Sequence, residues 1–176
     1  MKAVIVGCGR VGAGVATQLD RAGWQVLIID VSSSAFDRLP ASFGGTAHRG
    51  DGTDEDTLRR EGAEGADVFL ALTEGDNRNV MAAQLAIEAL GAKQCVAKIN
   101  DPVRAEAYAH LGITALCRTN LMTGAILGHL GQAVPTEQPG IYAPEHPHLH
   151  PLDGTPETPA GSAPAAASAA PAATEV

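Results

Sequence analysis

Lys2-Ala-Val-Ile-Val-Gly-Cys-Gly-Arg-Val-Gly12 decides the fold. The run Lys2–Val6 is apolar after its first residue, the form of a short strand buried on both faces. It leads directly into G-x-G-x-x-G, with Gly7, Gly9 and Gly12 at the fixed places. Val11–Ala22 follows with helical spacing and stops at Gly23. Strand, glycine turn and helix together are the context in which this pattern is informative. Gly7 permits the tight turn, Gly9 keeps a Cβ out of the way of an approaching phosphate, and Gly12 lets the helix pack against the strand. The helix start offers unpaired N–H donors and partial positive charge. The backbone from Gly7 through Cys8, Gly9, Arg10 and Val11 to Gly12 is therefore the candidate phosphate cradle; a glycine turn without a ligand is the plain alternative. The Arg10 guanidinium either reaches terminal phosphates or stays solvated. Cys8 reads as a small, tightly packed turn residue, although a helix start can lower a thiol pKa.

Outward from this turn, two periods alternate. Strands are expected at Gln25–Ile29, Thr46–Gly50, Asp67–Leu72, Gln94–Ile99 and Ile113–Cys117. Helices are expected at Ser32–Leu39, Asp54–Glu61, Asp76–Leu90, Pro102–Leu111 and Asn120–Gly131, with Thr53 capping the second of these and Asp76 or Asn77 opening the third. Regular β-α alternation predicts an α/β, doubly wound Rossmann fold: a six-stranded parallel sheet in the order 3-2-1-4-5-6 with helices on both faces.

Three acidic loops then fall at strand C-terminal ends. Asp30 ends the second strand, eighteen residues after Gly12. Its carboxylate can accept from two ribose hydroxyls and would repel a 2′-phosphate, or it can cap the next helix. Asp51-Gly52-Thr53-Asp54 follows the third strand, and Thr73-Glu74-Gly75-Asp76 the fourth. In the expected order, strands one and four flank the switch point, so Thr73 and Asp76 should face the phosphate turn and Asp51 the adenosine side. Turns and helix caps are the alternative role for these residues.

Composition sets outer bounds. The 176 residues carry a net charge of −8 and a pI near 5.1, which argues against nucleic-acid binding. No apolar run reaches a membrane-spanning length, and no signal peptide precedes the first strand, so the chain reads as soluble and intracellular. Three widely spaced cysteines, Cys8, Cys95 and Cys117, fit neither a disulfide framework nor a zinc site. Nine of the eleven prolines lie in 135–176, which has no Lys or Arg. The expected division is a nucleotide-binding domain at 1–134 and a disordered Pro/Ala-rich tail at 135–176. His146, His148 and His150 in that tail have no core to fix a metal geometry.

The ordered set Val4-Ile-Val-Gly-Cys-Gly-Arg-Val-Gly12, Val26-Leu-Ile-Ile-Asp30, Gly50-Asp-Gly-Thr-Asp54, Ala71-Leu-Thr-Glu-Gly-Asp76 and Ala97-Lys-Ile-Asn-Asp-Pro102 resembles the nucleotide-binding domain of the RCK/KTN family. Members of that family are cytosolic regulatory subunits of Trk- and Ktr-type potassium uptake systems. The likeness runs over roughly residues 1–131. It implies a homo-oligomer, dimers building an octameric ring, docked on a membrane potassium channel or transporter subunit at the inner face of the plasma membrane. It also implies NAD(H) or ATP/ADP in each domain, a regulatory rather than enzymatic role, and no nucleic-acid partner. Gly7–Gly12 and Arg10 would hold phosphates, Asp30 the ribose, Asp51, Gly52 and Thr53 the adenine side, and Thr73 and Asp76 the phosphate side. Lys98 would reach ligand phosphate or a neighbouring subunit. Two departures stand out: Thr-Glu-Gly-Asp replaces the usual Thr-Gly-Asp-Asp, so Glu74 adds a negative charge, and the Pro/Ala tail stands where a second ligand-sensing domain commonly follows.

The last helix carries Leu121, Met122, Ile126, Leu127 and Leu130, more apolar surface than a lone helix needs, and is expected to cross to a partner subunit or to pack on its own sheet edge. Two other functions fit the glycine turn. An NAD-dependent oxidoreductase would need a substrate domain and an acid/base group; His110 and His129 form no such constellation. A stand-alone dinucleotide redox sensor would need neither.

Overall fold

The computed structural model describes residues 1–137 and 139–144. β1 (Lys2–Val6), β2 (Gln25–Asp30), β3 (Thr46–Arg49), β4 (Val68–Ala71), β5 (Cys95–Ile99) and β6 (Thr114–Cys117) form a parallel sheet in the order β3-β2-β1-β4-β5-β6. Apart from β3 (Thr-Ala-His-Arg), the strands are short, mainly apolar runs, as strands inside a layered sheet require. The helices are α1 (Arg10–Arg21), α2 (Glu55–Arg60), α3 (Asp76–Glu88), α4 (Pro102–Ala109) and α5 (Arg118–His129). The expected fold class and strand order are observed.

Alternation along the strands divides the core. Val4, Val6, Leu27, Ile29, Phe69 and Ala71 point to one face, where Leu58, Val80, Ala83 and Ile87 cover them. Ile5, Val26 and Ile28 point to the other, against Ala13 and Ala16 of α1. Alanine is the commonest core residue on the helices, which lets helix and sheet approach closely without aromatic bulk.

Three local expectations are corrected. The segment after β2 is a 3-10 helix over Ser33–Arg38 rather than an α-helix. Asp54, not Thr53, caps α2: its carboxylate accepts from the Thr57 N–H at 3.0 Å. The third correction concerns the stretch read as tail. A seventh strand, β7 (Ile141–Tyr142), pairs antiparallel with β6. The Cys117 N–H donates to the Gly140 carbonyl at 2.8 Å, and Asn120 Nδ2 donates to Tyr142 Oη at 3.1 Å. Packed structure thus continues past Val134. Proline density hid this strand, yet Pro139 and Pro144 flank it without interrupting its two residues. The remainder of the expected tail, with its three histidines, lies outside the described residues.

Candidate functional site

The first turn is built by steric necessity. Gly7 has φ +105°, and a Cβ on it would lie 2.9 Å from the Leu72 and Thr73 backbone. A Cβ on Gly12 would lie 1.9 Å from the Gly7 carbonyl oxygen, so only glycine lets α1 start this close to β1. Gly9 differs: a Cβ there would meet nothing within 4 Å. Gly9 instead lines open space, the crevice on one side and an adjoining groove on the other. Among the described residues no side chain caps the start of α1, nor of α3 or α5, whereas aspartates cap α2 and α4. The first N–H groups of α1 are therefore without a side-chain acceptor.

This turn opens onto a crevice of about 210 Å³ at the C-terminal ends of β1 and β4, the switch point of the sheet. Gly7, Gly9, Asp30, Asp51, Gly52 and Thr73 line it, so six of the thirteen expected residues meet in one place. Asp30 is fixed from two sides: the Cys8 N–H donates to Oδ2 at 2.7 Å and the Ser32 N–H to Oδ1 at 2.8 Å. Each oxygen keeps a lone pair for a further donor. Asp51 is likewise held by its own loop. The Thr53 N–H and Oγ1–H donate to its Oδ1 at 2.9 and 2.7 Å, and these bonds, with Arg78 nearby, lower its pKa. Gly52 packs so closely that a Cβ would lie 2.2 Å from Val6 Cγ1.

Other expected residues act elsewhere. Thr53 shapes the Asp51 loop rather than lining the crevice. The Cys8 side chain is fully buried on the far side, its thiol donating to the Ala35 carbonyl at 3.4 Å. Burial first, then the Asp30 charge, pushes that thiol pKa up, the reverse of activation by a helix start. Its N–H, being given to Asp30, is not a free phosphate donor. Val11 is exposed on α1, and Arg10 lines a groove beyond Gly9 rather than the crevice itself. Asp76 does not face the phosphate turn. Its carboxylate accepts from the Asn100 N–H and Nδ2 at 2.9 and 2.7 Å and from the Asp101 N–H at 3.1 Å, tying α3 to the loop after β5. Lys98 is buried, with Nζ donating to Glu74 Oε1 at 3.1 Å.

Two residues went unread in the sequence. Asn79 is fully buried and holds the Thr73 loop in place: its Oδ1 accepts from the Thr73 N–H and hydroxyl at 2.8 and 2.6 Å, and its Nδ2 donates to the Thr73 and Lys98 carbonyls at 3.0 and 2.7 Å. The signal was a polar residue at a core position of an otherwise alanine-rich helix. Arg78 lines the crevice, and its charge acts on Asp51; its exposed position on α3 left no signal.

A parallel sheet with a glycine turn after β1, an acid ending β2 and a crevice at the switch point defines a Rossmann-type domain. The chain belongs to the TrkA-N domain family, whose profile matches residues 3–119. It is 43% identical over 130 residues to the Trk system potassium uptake protein TrkA of Streptomyces coelicolor, covering 74% of this chain and 58% of that one. It is 32% identical over 102 residues to a TrkA homolog of Pyrococcus abyssi, covering 58% of this chain and 45% of that one. The chain thus spans less than two thirds of the length of these relatives. Among solved structures it is similar to the TrkA-N domain of the Escherichia coli inner membrane protein ybaL, with a TM-score of 0.64 and 18% identity over 73% of this chain and 96% of that one. A Kef C-terminal domain of Shewanella denitrificans in AMP-bound form gives a TM-score of 0.59 and 23% identity over 76% and 84% of the two chains. At these identities the structural likeness establishes the fold.

Proposed function

We propose that this domain is a nucleotide-sensing regulatory module of a potassium uptake system. The observation that carries the binding part is the crevice over Gly9, flanked by the start of α1 and lined by the doubly anchored Asp30 carboxylate. An adenine nucleotide, NAD(H) or ATP/ADP, fits that donor set. The turn from Gly7 to Gly12 would hold phosphates, with Arg10 beside it; Asp30 would take ribose hydroxyls, and the Asp51–Thr53 loop would border the base. Thr73 would face the phosphates, while Asp76 and Lys98 would shape the site from behind. The names of the TrkA relatives support the potassium-uptake part. The partner is then a membrane potassium channel or transporter subunit, with the domain at the cytoplasmic face. Among the described residues, no helix is long and apolar enough to cross a membrane.

Regulation needs an assembly that nucleotide can rearrange. α5 buries only Asn120 of its own residues and leaves Leu121, Met122, Ile126 and Leu130 between 43% and 63% exposed. On the sheet face that carries Ile5, the residues Leu70, Val96 and Leu116 are only half-buried. A second copy that lays its α5 on such a surface would cover both, which supports a homo-oligomer; dimers building an octameric ring are the form the family resemblance implies. Nucleotide binding that differs between two arrangements of the ring shifts their populations without any bond being broken.

The test is native mass spectrometry of the purified chain with AMP, ADP, ATP, NAD⁺ and NADH, alongside light scattering. Bound nucleotide with an oligomer mass supports the reading, and Ile126→Glu with Leu130→Glu should then give monomers. Steady consumption of NADH would assign an oxidoreductase instead.

A further inference from the structure

Glu74 follows Thr73 at the mouth of the crevice, with 82% of its side chain exposed. Its carboxylate is nonetheless held by cations from separate elements. Oε1 accepts from Lys98 Nζ of β5 at 3.1 Å, and Oε2 lies 3.9 Å from Arg118 Nη1 at the start of α5. Arg10, at the start of α1, adds a further positive charge, and all three lower the Glu74 pKa. Lys98 is the informative partner. Its side chain is only 8% exposed, and among the described residues Glu74 is its one ion-pair partner. A buried ammonium is costly unless an anion faces it, whereas an exposed carboxylate needs no such help. The cluster therefore requires an anion beside Thr73, and the chain supplies its own. Glu74 also borders the groove that runs over Gly9 and Arg10, the path phosphates would take.

We infer that Glu74 is a resident counter-anion that limits how many phosphate charges the crevice accepts, so that a nucleoside monophosphate or a pyrophosphate-linked dinucleotide binds ahead of a triphosphate. This rests on the nucleotide reading above. With Glu74 in place one unit of the Lys98–Arg118 positive charge is offset, and a third phosphate meets a like charge. With Glu74 removed, the same cations are free for the terminal phosphate. Removing one unit of like charge from beside the terminal phosphate is worth about tenfold in affinity.

The test is calorimetric titration of the full chain and of Glu74→Gln with AMP, NADH and ATP in metal-free buffer, with thermal melting as a check on folding. Glu74→Ser serves as a second variant of different shape. The expected result is an ATP-to-AMP affinity ratio that rises about tenfold in both variants, with AMP changed less than twofold. An unchanged ratio, or equal strengthening of all three ligands, overturns the inference while leaving the nucleotide reading intact. ATP binding to the native chain more tightly than to Glu74→Gln once Mg²⁺ is added also overturns it, since Glu74 would then be a metal ligand. If none of the three binds the native chain, the nucleotide reading itself fails and the inference with it.

Discussion

The Cys8 N–H donates to Asp30 Oδ2 at 2.7 Å, which locks the glycine turn after β1 to the end of β2. The Gly7 N–H adds a second tie, to the Ile29 carbonyl at 2.7 Å. Asp30 is thus a structural strut and a candidate ribose acceptor at once. Asp30→Ala strands the Cys8 and Ser32 N–H groups and should cost about 1–3 kcal/mol. Urea unfolding reads that loss, and AMP affinity should fall with it. An unchanged unfolding midpoint would show that the tie is redundant.

Gly9 and Gly12 should separate binding from folding. Gly9 has an ordinary φ of −73° and open space around it, so Gly9→Val should melt like the native chain yet lose nucleotide affinity in calorimetry. Gly12→Ala collides with the Gly7 carbonyl and should lower Tm markedly. Equal melting of the two variants would contradict this division.

Asn79→Leu should be among the most damaging single changes in the domain. It leaves the Thr73 N–H and the Lys98 carbonyl unpaired in the interior. About 1–3 kcal/mol for each stranded group predicts a loss of several kcal/mol in denaturant unfolding. A loss below about 1 kcal/mol would mean that water or a local shift repairs the network.

Cys8, Cys95 and Cys117 are all buried, and burial pushes the Cys95 thiol up to about 12. A thiol with a raised pKa carries little thiolate at neutral pH. None of the three should react with an aromatic disulfide reagent in the native chain, and all should react in denaturant. Rapid native labelling of Cys8 would show that its thiol is reachable and contradict this expectation.

A chain cut after Glu137 should melt several degrees below one cut after Pro144, since only the longer keeps the pairing of Leu116 with Ile141 and the Asn120–Tyr142 hydrogen bond. Identical melting temperatures would show that β7 contributes nothing to the unit.

The sheet was legible because periodicity and glycine placement are local signals. Lys2–Val6 followed by Gly7, Gly9 and Gly12 admits few other structures, and the strand order followed from crossover handedness. Asp30 and Thr73 were legible as loop residues at strand ends. The error at Asp76 has one cause: its partners are distant in sequence, since Asn100 and Asp101 turn its carboxylate away from the phosphate turn. Asn79 was missed because its partners lie six and nineteen residues away, outside any local pattern. β7 was masked by composition, since a two-residue strand leaves no periodic trace.

The antiparallel addition of Ile141–Tyr142 has a consequence for solubility and assembly. Without it, β6 would present a row of unsatisfied backbone groups to any passing strand. The opposite margin, β3, is only four residues long and carries His48 and Arg49, which discourage such pairing. With one border reduced to a two-residue strand flanked by Pro139 and Pro144 and the other blunted, copies of this domain are steered away from edge-to-edge aggregation, and their association is left to side-chain surfaces that can slide or tilt without unzipping a backbone ladder.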